Sequence, residues 1–249
     1  LVVAQGGNRM VVAATSISDT NAKDFNTVLF WVDKEGRPVL KRAYLPGVQN
    51  KPEYVGRLQN NNLAVTGRIT DNDGRESGWV MKLAENGDIV FQRPYARGAD
   101  SVVRSAISYG QSDMIAVGDT IPNAGDKAAW VMKLDGNGNI LWQKYLTGKY
   151  VYTGIDSLVA PDGRINILVA GKPSIYGGRE HARVITLSNA GQVIGDEAYL
   201  EGSNSIPFRF VAQNGLRYLL GTSQTSVSKA TSEEGAEYVF GYPGGAVLH

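Results

Sequence analysis

Few residues in this chain are of a type that does chemistry, and two acidic turns come first. In "DNDGRE", Asp71, Asp73 and Glu76 offer carboxylates close together along the chain, the donors that a hard cation takes. "DGNGN" offers Asp135, Asn137 and Asn139 in the same manner. Neither run reaches the distal bidentate carboxylate of an EF-hand loop. The second also stands where "AENGD" and "SNAGQ" stand elsewhere, so turn chemistry accounts for it. No resident metal and no other cofactor is expected; Asp71, Asp73 and Glu76 are the residues from which a metal loop would be built. The two histidines are His181 and His249. His181, in "GGREHARV", has no second histidine at a metal-binding spacing and reads as a solvated loop residue. The absence of cysteine removes thiolate nucleophiles, disulfides and zinc–thiolate sites together. The chain contains no Gly-x-Ser-x-Gly elbow, no HExxH, no Walker loop and no dinucleotide fingerprint.

The elements that must position these residues announce themselves by repetition. "GWVMKLAENGDIVFQRPY" at 78–95 returns as "AWVMKLDGNGNILWQKY" at 129–145. The turn glycines Gly36, Gly87, Gly138, Gly191 and Gly245 follow one another at steps of 51, 51, 53 and 54 residues. Tyr-x-x-Gly recurs in phase at Tyr44, Tyr95, Tyr145 and Tyr199, and short apolar runs end at Gly67, Gly118, Gly171 and Gly221. Within one copy the pattern predicts four strands: A over 63–70, B over 78–83, C over 88–95 and D near 102–109. Strand B alternates, with Trp79, Met81 and Leu83 on one side and Val80 and Lys82 on the other. Asn-Gly at the B–C turn is a strong hairpin signal, because both central residues tolerate positive φ.

Four-stranded units at a period near fifty predict an all-β fold, a β-propeller of four-stranded antiparallel blades forming one domain over 1–249. The approximate repeats are 8–60, 61–111, 112–163, 164–215, and 216–249 together with 1–7. "LVVAQGG" at the start is similar to "FRFVAQNG" at 208–215, so the N-terminal strand is expected to complete the last of five blades. The alternative is that the sequence is a window on a ring of six to eight blades. The units resemble the degenerate propeller repeats of bacterial exported proteins, related in pattern to quinoprotein-like and WD40-like blades. The Trp-Asp blade ending and the kelch double glycine are both missing. The resemblance implies a propeller in a periplasmic or extracellular setting, often serving as a binding platform.

On that frame, the residues after the strand-A glycines are Thr15, Arg68, Asp119, Lys172 and Thr222. A glycosidase would place two carboxylates roughly 5–9.5 Å apart at the axis. Only one of these five is acidic, so Arg68, Asp119 and Lys172 are expected to line the channel as structural ion pairs. Trp31, Trp79, Phe91, Trp130 and Trp142 are expected to pack between blades. What repeats is scaffold, and what differs between repeats is free for function. Tyr150, Tyr152, Tyr176, Arg179 and His181 have no counterparts in the other copies and are expected to form one partner-binding surface on the loop face.

The 25 basic and 24 acidic residues are interspersed and give a net charge of +1, so no basic stripe exists for nucleic acid. No apolar run approaches the roughly 18–20 residues that span a bilayer, so no direct membrane insertion is expected. The chain starts at Leu1 without an initiator Met, which suggests a removed leader or a longer parent chain. The functional expectation is a non-catalytic scaffold that binds another protein, in an envelope or secreted assembly; the alternative is a propeller that binds or processes glycans.

Overall fold

The computed structural model describes residues 2–6, 9–17, 25–44, 49–96, 100–122, 126–173, 178–199, 204–213, 216–224 and 236–241. The first sheet holds β1 (Val2–Gly6), β2 (Arg9–Ile17), β3 (Phe25–Val32) and β4 (Pro38–Tyr44) in that spatial order. The second holds β5 (Gln49–Arg57), β6 (Leu63–Thr70), β7 (Glu76–Leu83) and β8 (Ile89–Tyr95). The third holds β9 (Val102–Tyr109), β10 (Asp113–Thr120), β11 (Ala128–Leu134) and β12 (Ile140–Leu146). The fourth holds β13 (Val151–Val159), β14 (Ile165–Lys172), β15 (His181–Leu187) and β16 (Val193–Tyr199). β17 (Asn204–Gln213), β18 (Leu216–Gln224) and β19 (Ala236–Gly241) form a three-stranded fifth sheet among the described residues. All pairings are antiparallel. The first strands β1, β5, β9, β13 and β17 lie beside one another in succession, which gives the propeller arrangement its axis.

The strands themselves fall where the pattern predicts, but the phase of the units is one strand off. The segment 102–109 was expected to close the unit containing β6–β8. It opens the third sheet instead, because the short turn Gly110–Ser112, with Gly110 at φ 63°, folds β9 directly onto β10 with Tyr109 opposite Asp113. The same holds at the start of the chain. β1 pairs with β2 from Val2↔Ala13 to Gly6↔Arg9, so it begins the first sheet and does not complete the last. The sheets therefore span 2–44, 49–95, 102–146, 151–199 and 204–241, in place of the repeat boundaries read from the sequence.

Both faces of the interior strands are buried, as stacked blades require. Trp79, Met81 and Leu83 of β7 pack with Leu29 and Trp31 of the first sheet. Val80, on the opposite side of β7, packs with Val103, Met114 and Trp130 of the third. Trp79 and Trp130 are 0% and 1% exposed, so each fills an inter-blade seam completely. Each contributes of the order of 2–3 kcal/mol of apolar burial.

Polar ties recur between blades at the repeat spacing. Tyr44 Oη donates to the Gly87 carbonyl and Tyr95 Oη to the Gly138 carbonyl, both at 2.7 Å. Arg42 binds Asp88 at 2.7 Å and Arg93 binds Asn139 Oδ1 at 2.8 Å, so each outer strand grips the tight turn of the next sheet. The turn glycine of the third sheet is required twice over. Gly138 has φ 80°, and a Cβ there would fall 2.6 Å from Phe91. Burial pushes the Tyr44 phenol up to about 12, so it remains a donor across the working pH range. Tyr95→Phe should cost about 1 kcal/mol in urea unfolding by orphaning a buried carbonyl. Tyr44→Phe should cost a similar amount, and the double variant should be additive because different blade pairs are involved.

Candidate functional site

The inner strands carry a feature that strand alternation does not predict. In four of them, one extra residue interrupts the pairing with the next strand. Glu53 sits in the register shift between Pro52 and Tyr54, and Ile155 in the shift between Gly154 and Asp156. Phe208 sits between Pro207 and Arg209, and Arg104 occupies the same place in the β9–β10 pairing. These four β-bulges follow one another at the repeat spacing. The corresponding position of β1 is Leu1, outside the described residues. A bulge bends its strand and redirects the side chains around it. Close approach of the two strands at the bulge explains the repeated glycine. A Cβ on Gly67 would lie 2.0 Å from the Lys51 carbonyl oxygen, and one on Gly118 would lie 1.8 Å from that of Val102. In the fourth sheet Val169 occupies this place and the glycine is on the facing strand, Gly154.

The bulges and the residues after them converge on one cavity of about 170 Å³. Its wall is Glu53 and Tyr54 of β5, Arg104 and Ser105 of β9, Ile155 and Asp156 of β13, and Phe208 and Arg209 of β17. Asp156 is held by the backbone amides of Ser157, at 2.8 Å, and of Phe210, at 2.9 Å, which ties β13 to β17. Burial pushes its pKa up, against the pull of those amides. Burial likewise pushes the Tyr54 phenol up to about 12. Arg104 Nε donates to Asp119 Oδ1 at 2.9 Å, and Lys127 Nζ lies 2.7 Å from the other oxygen. The Ser105 hydroxyl is buried and turned toward the Asp156 carboxylate, which it helps to hold charged, though short of ideal hydrogen-bond geometry.

This axial set was missed in the sequence, where Arg68, Asp119 and Lys172 were expected to line the channel. Those residues lie on the second strands, β6, β10 and β14, one strand further from the axis. They do not pair with one another: Arg68 binds Glu76 at 3.1 Å, Asp119 binds Arg104 and Lys127, and Lys172 binds Glu180 at 2.8 Å. Lys172 is also two residues out of phase, because Ala170, after Val169, is the counterpart of Asp119. The signal that could have found the true set is the regular spacing of 53, 104, 155 and 208, with proline before two of the four bulges.

A second cavity, of about 520 Å³, opens on the loop face between the first and second sheets. Thr15, Gln49, Lys51, Arg68 and Glu76 are among its walls. Beside it, the Asp71 carboxylate accepts from the amides of Asp73 and Arg75, both at 2.9 Å, so it serves to form the turn. Among the described residues no group of three acidic or histidine side chains is arranged to hold a metal, and Asp71, Asp73 and Glu76 are not brought together as one. Glu76 instead meets Asp100 carboxyl to carboxyl. That hydrogen bond is the main cause of its raised pKa, with burial adding and Arg68 opposing. A folded-state pKa above the unfolded value stabilises below the unfolded pKa, and the contribution is lost as pH rises through the folded one. Glu76→Gln, which can donate to Asp100 at any pH, should therefore flatten the fall in Tm as pH rises from about 4.5. A scan of Tm against pH checks this.

Of the expected partner-binding residues, three converge. Tyr150 lies 6.1 Å from Tyr152 and 6.4 Å from His181, edge to face in the latter case, with Arg183 over its ring at 5.0 Å and Lys149 at 5.5 Å. Tyr152 belongs to β13 and is buried in the core, so it braces Tyr150 from below and does not offer a surface of its own. Arg179 is exposed ahead of β15. Tyr176 and His249 lie outside the described residues.

No family model and no curated protein matches the sequence. Solved structures do resemble the fold. An α-L-arabinanase of Penicillium chrysogenum, complexed with arabinobiose, aligns with a TM-score of 0.64 at 11% identity over 97% of this chain and 80% of its own. The β-propeller domain of the Trilobed protease of Pyrococcus furiosus, described as having an open velcro topology, gives 0.52 at 11% over 97% and 70%. The WD40 domain of Neurospora crassa Pan2 gives 0.50 at 11% over 85% and 60%. The chain is a β-propeller. At these identities the likeness shows the fold alone, and the neighbours span glycan enzymes and protein modules.

Proposed function

We propose that this propeller is a non-catalytic binding module whose partner is another protein, engaged on the loop face. One observation carries this reading. The inter-blade ties recur from sheet to sheet, whereas among the described residues the cluster of Tyr150, Lys149, His181 and Arg183 occurs once, on the fourth sheet. Aromatic and arginine side chains on a rigid support are the usual anchors of protein interfaces. Two of the solved propellers, from the Trilobed protease and Pan2, are domains of larger proteins, which supports a modular role. The non-catalytic part rests on the axial carboxylates: Asp156 is fixed as a strut by two amides, and Glu53 faces Lys51 at 3.7 Å. A bacterial envelope or secreted setting completes the proposal, in keeping with the resemblance of the repeats.

The test is purification of the native protein from its source at mild salt, with the intact mass of the chain, beside the Tyr150→Ala variant. Tyr150→Ala should keep the wild-type Tm within a few degrees and lose at least about 1 kcal/mol of partner affinity, roughly fivefold. Unchanged partner retention in a folded variant would remove the site.

A further inference from the structure

We propose that the axial cavity is a binding site for a hydroxylated carboxylate about the size of one sugar ring, with Arg209 as its principal anchor. This is independent of the loop-face reading and rests on different residues.

The donors at the cavity exceed their partners. Arg209 is exposed at the wall; its charge acts on Asp156 across the cavity, but it forms no direct ion pair among the described residues. Arg104 Nε donates to Asp119, but its terminal Nη groups have no partner among the described residues. The Ser105 hydroxyl is fully buried at the same wall, where its one neighbour among the described residues is Asp156, at imperfect hydrogen-bond geometry, so a better acceptor in the cavity can draw it. Two guanidinium groups and a hydroxyl facing one small space suit a carboxylate, which accepts paired N–H donors in one plane.

The other half of the wall says what accompanies that carboxylate. Of the two carboxylates in the wall, Asp156 already accepts a backbone amide on each oxygen, whereas Glu53 is an open acceptor whose cation among the described residues, Lys51, lies 3.7 Å away and is largely solvent-exposed. An acceptor beside two arginines suits a ligand that bears hydroxyl donors next to its acid group. A plain fatty acid would leave Glu53 unanswered, and a divalent cation would face two arginines. Phe208 and Ile155 supply an apolar surface against which the C–H face of a sugar ring can lie. The volume of about 170 Å³ limits the buried part of the ligand to about one ring. The positions are backed by structure: each wall residue sits on or next to a bulge held by a close strand approach, so the groups are preorganised.

Titration calorimetry on the full chain tests this with D-glucuronate, D-galacturonate and gluconate, with neutral glucose as the comparison. Uronate should bind at least tenfold more tightly than glucose. Arg209→Gln should weaken uronate binding at least tenfold with an unchanged Tm, Ser105→Ala should weaken it several-fold, and Tyr150→Ala should leave it unchanged. Methyl glucuronide and a glucuronate-terminated disaccharide separate the two sources of such a group. Retained affinity on extension assigns the site to a glycan end, and lost affinity assigns it to a free hydroxy acid. Equal binding of glucose and uronate, unchanged binding in Arg209→Gln, or no binding of any of the acids would overturn the proposal. Loss of binding in Tyr150→Ala as well would instead place the acid on the loop face.

Discussion

Gly118→Ala is expected to destabilise the protein by about 3 kcal/mol or more, as much as a damaging core substitution. The added Cβ would lie 1.8 Å from the Val102 carbonyl oxygen, 2.8 Å from its carbonyl carbon and 2.9 Å from Val103 Cα. All three are backbone atoms of β9, so no side-chain rotation relieves the overlap. The two strands must separate, and the bulge that presents Arg104 to the cavity is lost with them. Gly136→Ala is the control, because its nearest neighbour there is the Ser112 side chain at 3.4 Å and its φ is not positive. That change should stay within about 0.5 kcal/mol of wild type. Urea unfolding of both variants reads the difference directly. A Gly118→Ala protein as stable as Gly136→Ala would mean that β9 and β10 are not held together at the bulge.

The same glycine shows how far the sequence could be read. Its recurrence at Gly67, Gly118 and Gly221 located a strand in three of the sheets, read as the first of its unit where it is the second, and the extent of β6 was legible to the residue. What recurrence cannot supply is phase. Both the Asn-Gly turn after β7 and the Gly110 turn after β9 are tight, so either could have sat inside a unit with the looser connections between units. Choosing wrongly placed the axis beside β6, β10 and β14, and that moved attention to Arg68, Asp119 and Lys172. The cavity was hidden for a second reason. Its residues sit on or next to bulges, and a bulge breaks the two-residue alternation by which facing is assigned. The Tyr150 cluster was found by contrast between repeats, which needs no phase. Even so, that contrast could not distinguish Tyr150, which is half-buried, from Tyr152, which is buried in the core.

Asp119 joins the scaffold to the cavity, and its replacement should show both roles. Its side chain is only 3% exposed and its two oxygens hold Arg104 at 2.9 Å and Lys127 at 2.7 Å. Removing a buried carboxylate leaves its cations without a partner, which in a closed interior costs about 3–5 kcal/mol. Here Arg104 and Lys127 are 27% and 38% exposed, so water recovers part of that loss and about 2–3 kcal/mol is expected for Asp119→Ala. Asp119→Asn keeps an acceptor for Arg104 but turns an amide N–H₂ toward Lys127, so it should recover less than half of the difference. Asp119 does not line the cavity and acts there only through the guanidinium it orients. Affinity for the acid should therefore fall in Asp119→Asn at a temperature where that variant is fully folded, with the stability loss measured separately in urea. A variant that loses stability but keeps the affinity would make Asp119 a strut alone; one that loses both would make the Arg104–Asp119 pair the link between the bulge and its ligand.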